Sequence, residues 1–187
     1  MNCMAKRNIR FRTLLRPLSI VLPWTLIAFS CTSDPNNRPS PLKIESSKIG
    51  SAQVSITYSS PGVKGRKIFG GADPLVPYGR VWRTGANDAT FLTLDNTVVI
   101  DSVTVDKGQY SVFTIPNKEE WVVILNREWD QWGSYNYDSA KDLLRLTVKT
   151  RKLDKLAERM KLFFEDDSLK FSWETTSWAI PLSHRHE

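Results

Sequence analysis

Residues 53–58 read Gln-Val-Ser-Ile-Thr-Tyr and alternate polar with apolar side chains throughout. Because successive side chains of a β-strand point to opposite faces of a sheet, this alternation predicts a strand with one buried face. The same period, with many β-branched and aromatic residues, recurs along the chain. The other predicted strands are residues 89–94, 97–105, 110–115, 121–125, 144–148, 160–165, 169–174 and 177–182.

Short polar turns, rather than long helices, separate these strands. Asp95-Asn96 and Lys107-Gly108 are examples, and only residues 152–159 have a helical spacing of apolar side chains. Parallel strands need crossover connections, usually helices, which this sequence lacks. The sequence therefore predicts an all-β domain over residues 52–187: an antiparallel β-sandwich of the jelly-roll or immunoglobulin-like type, with at most one short helix.

The penultimate predicted strand supplies two aromatic core residues. Phe171 and Trp173 alternate with Lys170, Ser172 and Glu174. This alternation places the two rings on one face of the strand and the polar side chains on the other. We therefore expect Phe171 and Trp173 to point into the core.

The first 30 residues have the pattern of a signal peptide. Residues 6–16 contain five basic side chains and no acidic one, and residues 18–30 are an apolar run ending in Ala28-Phe29-Ser30. This run is shorter than the roughly 20 apolar residues of a spanning helix, and Pro23 interrupts it. The sequence therefore predicts an exported protein whose leader is removed.

Cys31 follows the predicted cleavage position and is a candidate lipidation site. Residues 27–31 resemble a loose bacterial lipobox, although the bulky Phe29 departs from the strict pattern. Cys3 is lost with the leader, so an unmodified Cys31 would be a lone thiol in an oxidising compartment. Acylation anchors the chain in the membrane, which predicts an outer-membrane lipoprotein that faces the periplasm or the cell surface. The alternative is ordinary cleavage, which gives a soluble secreted or periplasmic protein.

Residues 31–51 are rich in Ser, Pro and Asn and read as a flexible tether between the lipidated cysteine and the domain. The charge of the mature chain is nearly balanced. The full sequence has a net charge of +6, and residues 1–30 hold five basic residues and no acidic one, so residues 31–187 have a net charge of +1. This balance gives no support to nucleic-acid binding.

Several catalytic and metal-binding classes lack the residues that they need. The two histidines, His184 and His186, lie at the extreme C-terminus, so no internal histidine is available as a catalytic base or metal ligand. There is no P-loop, dinucleotide fingerprint or nucleophile elbow. The sequence therefore predicts no metal, no cofactor and no catalytic set.

Residues 59–87 form the first candidate binding segment, which is rich in glycine and proline and carries basic and aromatic side chains. Arginine guanidinium groups recognise carboxylate or phosphate through paired hydrogen bonds, and asparagine can complete such a site. In the alternative interpretation, Arg83 pairs with Asp88 or binds loop carbonyls and only stabilises the segment. The candidate ligand-binding residues are Arg66, Lys67, Tyr78, Trp82, Arg83 and Asn87.

Residues 129–137 form the second candidate segment, with the sequence Trp-Asp-Gln-Trp-Gly-Ser-Tyr-Asn-Tyr. Rigid aromatic rings beside amide and carboxylate groups suit sugars, whose C–H faces stack while their hydroxyls form hydrogen bonds. Trp132 and Tyr137 are the candidate ligand-binding residues. In the alternative interpretation, the rings of this loop cover an edge of the sandwich.

Four stretches of the domain form a specific combination: YSSPGVKGRKIFGG (58–71), LVPYGRVWRTGANDAT (75–90), KGQYSVFTIP (107–116) and WVVILN (121–126). Together they resemble the family called domain of unknown function 2911, which is found in exported bacterial proteins. The resemblance covers roughly residues 52–182. It implies an extracytoplasmic β-rich domain but no particular reaction, because the activity of the family is unassigned. Residues 72–74 are a small insertion relative to the family pattern.

We therefore expect a lipid-anchored, non-catalytic module that binds a glycan or an anionic small molecule of the envelope or its surroundings. One alternative is a hydrolase that uses paired carboxylates on glycans. Its candidate acids are Asp88, Asp130, Asp138 and Glu174. A second alternative is a structural or assembly partner in the envelope, which needs no small-molecule site.

Overall fold

The computed structural model describes residues 38–184. The predicted signal peptide, Cys31 and the first part of the tether lie outside the described residues. The described chain contains ten strands and a short 3-10 helix, Ser139–Lys141. The strands are β1 (Leu42–Ile49), β2 (Ala52–Ser59), β3 (Phe91–Leu94), β4 (Val98–Ile100), β5 (Val103–Val105), β6 (Gly108–Ile115), β7 (Glu120–Asn126), β8 (Asp142–Lys149), β9 (Arg151–Glu165) and β10 (Ser168–His184).

The strands form two antiparallel sheets that pack as a sandwich, which confirms the predicted fold class. The six-stranded sheet has the order β1-β2-β3-β6-β7-β8, and the four-stranded sheet has the order β5-β4-β10-β9. Strands β3 and β4 follow each other in sequence but lie in different sheets. The short segment between them therefore takes the chain from one layer of the sandwich to the other.

The core lies between the sheets and consists of the inward side chains of each strand. Val54 and Ile56 of β2 are buried, as the opening alternation predicts. Phe171 and Trp173 of β10 are also buried, which confirms their predicted orientation. Aromatic rings dominate this interior, and each well-oriented ring pair adds about 0.5–1.5 kcal/mol beyond its buried area.

The predicted tether is too long at its C-terminal end, because β1 occupies residues 42–49. This strand pairs with β2 along all eight of its residues, from Leu42 opposite Ser59 to Ile49 opposite Ala52. As the edge strand of its sheet, β1 exposes most of its side chains and buries chiefly Ile49. An edge strand of this kind needs few apolar residues, which is why its composition resembles a linker.

The predicted helix at residues 152–159 is wrong, because these residues form part of β9. Lys152 pairs with Thr176 and Ala157 with Glu174, so five residue steps of β9 face only two of β10. Such bulges interrupt the alternation of side chains between the two faces. The irregular pattern therefore has a helical spacing, although the segment is paired in a sheet.

Two other strand predictions differ from the structure in their connections. Residues 97–105 form the hairpin β4–β5 rather than one strand, and Asp101 in its turn has a φ of 54°. Conversely, the two strands predicted at residues 169–174 and 177–182 are continuous in β10. In both cases the residues were correctly predicted to form strands, and only the positions at which the strands are interrupted are wrong.

Candidate functional site

The glycine-rich segment between β2 and β3 is pinned to the sandwich. Leu75 and Val76 donate main-chain hydrogen bonds to the carbonyls of Lys67 and Ile68, at 3.0 and 2.9 Å. The Trp82 N–H donates to the Thr114 carbonyl at 2.7 Å. These bonds, with buried apolar side chains along the segment, fix a stretch that has almost no regular secondary structure.

Gly70 and Tyr78 belong to this folded-back segment. Gly70 has a φ of +64°, and a Cβ built there would lie 2.8 Å from the Tyr78 ring. The tyrosine therefore packs directly on the glycine main chain while part of its ring remains exposed. Any larger residue at position 70 would both strain the main chain and displace this ring.

Trp82 is a core residue with only 9% of its surface exposed. Its ring stacks on Trp173 with a centroid distance of 5.7 Å and an interplanar angle of 19°. Its Nε1–H donates to the Gly85 carbonyl at 3.1 Å, which satisfies the polar atom of the buried indole. Trp82 thus anchors the segment on the sandwich.

The structure does not bring the basic candidates together in one anion site. Arg66 uses Nη2 to bond the Gly62 carbonyl at 2.6 Å, which holds its own loop. Lys67 Nζ lies 3.5 Å from Glu174 Oε1, on β10 opposite a bulge of β9. Asn87 Nδ2 donates to Ser59 Oγ at 3.1 Å. Each of these side chains has a local structural contact.

Arg83 does not form the ion pair that the sequence analysis considered. Among the described residues, Asp88 pairs instead with Arg38, with 3.8 Å between Oδ2 and Nη1. Arg83 Nε is buried and has no hydrogen-bond partner in the described part of the chain. Its Nη1 lies 3.8 Å from the position of a Cβ built on Gly133. The guanidinium is therefore beside the aromatic loop, the segment of residues 127–141 between β7 and β8.

Asn126 fixes the aromatic loop from inside the protein. This residue ends β7 and is fully buried. Its Nδ2 donates to the Asp138 carbonyl and to Asp142 Oδ1, each at 2.8 Å, and its Oδ1 accepts from the Glu128 N–H at 2.9 Å. One amide side chain thus binds both ends of the loop at residues 127–141.

Tyr137 buttresses the same loop. Its hydroxyl donates to Asp142 Oδ2 at 2.7 Å and accepts from Arg145 Nη2 at 2.7 Å, and its ring contacts Phe113 at 5.0 Å. Burial, followed by the hydrogen bond to Asp142, raises the pKa of Tyr137. The phenol therefore remains protonated near neutral pH and supports the loop.

The two candidate segments meet at one point. The Ala89 N–H donates to the Gln131 carbonyl at 3.0 Å, and Asp88 forms an antiparallel bridge with Trp132. Beside this junction lies an open cavity of about 250 Å³. Its walls come from β1, β2, the start of β3 and the aromatic loop. The lining residues are Leu42, Thr57, Tyr58, Ser59, Asp88, Ala89, Phe91, Trp129, Asp130 and Gln131.

An aromatic pair forms one wall of this cavity. The rings of Phe91 and Trp129 are 5.3 Å apart with an interplanar angle of 57°. Phe91 lies opposite Thr57 of β2, on the outer face of the six-stranded sheet. The loop therefore brings its first tryptophan against an aromatic side chain that the strand alternation leaves facing outward.

Gln131 lines the cavity and has a buried side-chain acceptor without a partner in the described part of the chain. Its Nε2 donates to the Glu128 carbonyl at 2.7 Å, which fixes the orientation of the amide group. Its Oε1 is buried and receives no hydrogen bond from the described residues. A buried acceptor without a donor costs about 1–3 kcal/mol. Because this oxygen has almost no accessible surface, a ligand in the cavity reaches it only after a local movement of the side chain.

Two carboxylates, Asp88 and Asp130, line the cavity, whereas the other two candidate acids are engaged elsewhere. Asp138 caps the 3-10 helix by accepting from the Ala140 N–H at 2.9 Å, and Glu174 pairs with Lys67. Across residues 38–184, no group of three or more His, Cys, Asp and Glu side chains is arranged to hold a metal ion.

The sequence was compared with protein families, with curated proteins and with solved structures. The model of a protein family of unknown function, DUF2911, matches residues 40–182, which is more than half of the chain. The chain belongs to the DUF2911 family. No curated protein and no solved structure matches. Of the described residues of this DUF2911 protein, none forms a helix long and apolar enough to span a membrane.

The second candidate segment of this DUF2911 domain contributes to the cavity, but through residues other than the two that the sequence analysis named. Trp132 and Tyr137 do not line the cavity, whereas Trp129, Asp130 and Gln131 of the same nine-residue stretch do. The sequence analysis also missed Phe91. A large aromatic at an outward position of a strand was the available signal, because such positions in β3 otherwise suit polar residues such as Thr93.

Proposed function

We propose that this DUF2911 protein is a lipid-anchored, non-catalytic binding module for a glycan of the envelope or its surroundings, and that the cavity beside Trp129 is the binding site. The observation that carries this proposal is the pair of Phe91 and Trp129 rings, 5.3 Å apart, in one open cavity with Asp88 and Asp130. Sugar C–H faces stack on aromatic rings, and sugar hydroxyls donate to carboxylates.

The side chains of the cavity suit both the apolar faces and the hydroxyl groups of a sugar ring. Trp129 and Phe91 offer apolar faces for the C–H groups. Asp88 and Asp130 offer further acceptors for hydroxyls. The cavity is smaller than the roughly 300–1,000 Å³ of typical small-molecule pockets, which suits a terminal sugar residue rather than a long chain.

The charge of the lining favours a neutral or cationic sugar over an anionic small molecule. Asp88 and Asp130 line the cavity, and Asp88 is paired with Arg38 at 3.8 Å, which leaves Asp130 as the uncompensated charge of the described lining. An anion would therefore enter against the charge of Asp130, which disfavours its binding. For this site we thus propose a glycan and not the anionic ligand that the sequence left open.

The test is a calorimetric titration of the purified full-length chain with tetrasaccharides of glucose and of N-acetylglucosamine. Trp129→Ala should weaken binding at least about tenfold because the stacking surface is lost. Trp132→Ala is the matched control, since Trp132 lies in the same loop outside the cavity lining. Equal binding by Trp129→Ala and the wild-type chain would contradict the proposal.

A hydrolase is the second candidate function, because Asp88 and Asp130 share the cavity. Two carboxyl groups about 5–9.5 Å apart across a sugar ring are the arrangement that glycosidases use. Release of new reducing ends from the same tetrasaccharides, lost in both Asp88→Asn and Asp130→Asn, would favour this function. Binding without cleavage favours the non-catalytic module. The absence of both binding and cleavage would favour an envelope assembly partner.

Export and anchoring are the second part of the proposal and rest on the leader and Cys31. We predict that Cys31→Ser releases the protein from the membrane fraction and leaves the domain folded, because the thiol is the acylation site. Fractionation of the producing cells, with a melting curve of each form, measures both effects. Membrane association of Cys31→Ser that still requires detergent for release would contradict lipid anchoring.

A further inference from the structure

A second open cavity, of about 570 Å³, lies where the edge strands of the two sheets approach each other. It is a groove between β1 of the six-stranded sheet and β9 of the four-stranded sheet. Its size falls in the usual range for small-molecule sites. The lining residues are Lys43, Glu45, Tyr58, Ser60, Arg159, Lys161, Leu162 and Phe163.

Strand register determines which charged residues of β1 face this groove. Lys43 pairs with Tyr58 and Glu45 with Ile56, and both partners are buried between the sheets. Directly opposed residues share a face of the sheet, so Lys43 and Glu45 belong to the inward face at the open side of the sandwich. Lys48 has the opposite parity in the same strand and lies on the other face.

The other wall of the groove is basic and comes from β9. Arg159 is held in place because its Nη1 donates to the Ser60 carbonyl at 3.0 Å. Lys161 is exposed at the rim of the groove, two residues further along the strand, on the side of β9 opposite the buried Met160 and Leu162. Neither Lys161 nor Lys43 takes part in an ion pair within residues 38–184.

The lining groups define the chemistry of a ligand. Three cationic side chains and one carboxylate give the groove a formal charge of +2. A phosphate monoester carries about −1.5 to −2 charges near pH 7 and has three acceptor oxygens, so it matches this charge. Lysine and arginine donors are the groups that bind such oxygens. Phe163, which is half-buried, adds an apolar surface for the body of the ligand.

We propose that this groove binds a phosphate monoester, with Lys43, Arg159 and Lys161 contacting the phosphate. The proposal is independent of the glycan site, whose lining has the opposite charge and shares only Tyr58 with the groove. The phosphate is part of either a soluble ester or a lipid headgroup, because both present the same group.

The experiment uses the purified full-length chain at constant ionic strength. Glycerol 3-phosphate is titrated calorimetrically as the soluble ester, and phosphatidylcholine vesicles with and without phosphatidic acid test the lipid source. Lys43→Gln and Lys161→Gln should each weaken binding about tenfold, since each removes a charged hydrogen bond. The matched controls are Lys48→Gln in β1 and Lys155→Gln in β9, two exposed lysines outside the groove lining.

Binding in either arm that depends on Lys43 and Lys161, and not on the control lysines, supports the proposal and identifies the source of the phosphate. Absence of such binding in both arms overturns it. An equal loss of affinity in the control variants also overturns it, because the attraction would then come from the overall charge. Melting curves without ligand establish that each exposed Lys→Gln variant is folded.

Discussion

Two groups of aromatic residues in this molecule have similar composition and opposite environments. Inside the sandwich, Trp82, Trp121 and Trp173 expose at most 9% of their surface. On the loop after β7, Trp129, Trp132 and Tyr135 expose 36%, 57% and 82%. The first group stabilises the fold, and the second is available for contacts outside it. Tryptophan content alone therefore does not distinguish a core from a binding surface.

The interior group is organised by strand alternation and ring packing. Trp173 contacts Phe69 edge-on at 5.7 Å and stacks on Trp82 at the same centroid distance. Its Nε1–H is buried and has no acceptor among the described residues. The protein thus tolerates an unsatisfied donor, which costs about 1–3 kcal/mol, in order to place this ring at the centre of the core.

The loop group is organised by polar contacts instead. Asn126 binds the main chain at both ends of the loop, and Tyr137 bonds to Asp142 and Arg145. Because these bonds hold the loop from its base, its exposed rings do not need to be buried to keep their places. A frame of this kind is what a preformed site for a small ligand requires.

The largest expected difference between the two groups is in stability. We predict that Trp173→Ala lowers the free energy of unfolding by about 3–5 kcal/mol, the usual cost of emptying a buried aromatic site. Trp132→Ala, its counterpart on the loop, should change it by no more than about 0.5 kcal/mol. Urea unfolding of both variants measures the two values. Equal losses would show that the loop tryptophan is also part of the folded core.

Much of the fold could be predicted from the sequence, because a half-buried strand requires polar and apolar side chains to alternate with a period of two residues. Residues 53–58 and 169–174 are examples, and both lie in strands with the predicted inward faces. The failures occur where burial does not impose that period. Strand β1 is a largely exposed edge, and the bulges of β9 break its alternation, so neither resembles a regular strand.

Less of the candidate site could be predicted from the sequence, because it depends on contacts between distant parts of the chain. The loop at residues 129–137 was identified from its composition, but which of its side chains face a cavity depends on the junction of Ala89 with Gln131. Likewise, nothing local to Trp82 distinguishes a ligand-binding ring from one that packs on Trp173. The basic groove depends on the register of β1 and on the packing of β9 beside it. Neither feature can be predicted from the local sequence.

The smallest expected effect on stability and affinity concerns Arg83. This residue follows the core residue Trp82 in sequence and lies beside the aromatic loop. Arg83→Lys keeps the charge and removes the guanidinium fork. Because Nε has no partner and Asp88 pairs with Arg38, we predict a change in unfolding free energy within about 1 kcal/mol. Saccharide affinity should also be unchanged, since Arg83 does not line the cavity. Urea unfolding and the saccharide titration measure these values. A loss of more than about 2 kcal/mol in stability would make Arg83 a buttress of the junction, whereas weaker saccharide binding alone would extend the site across the loop to the guanidinium.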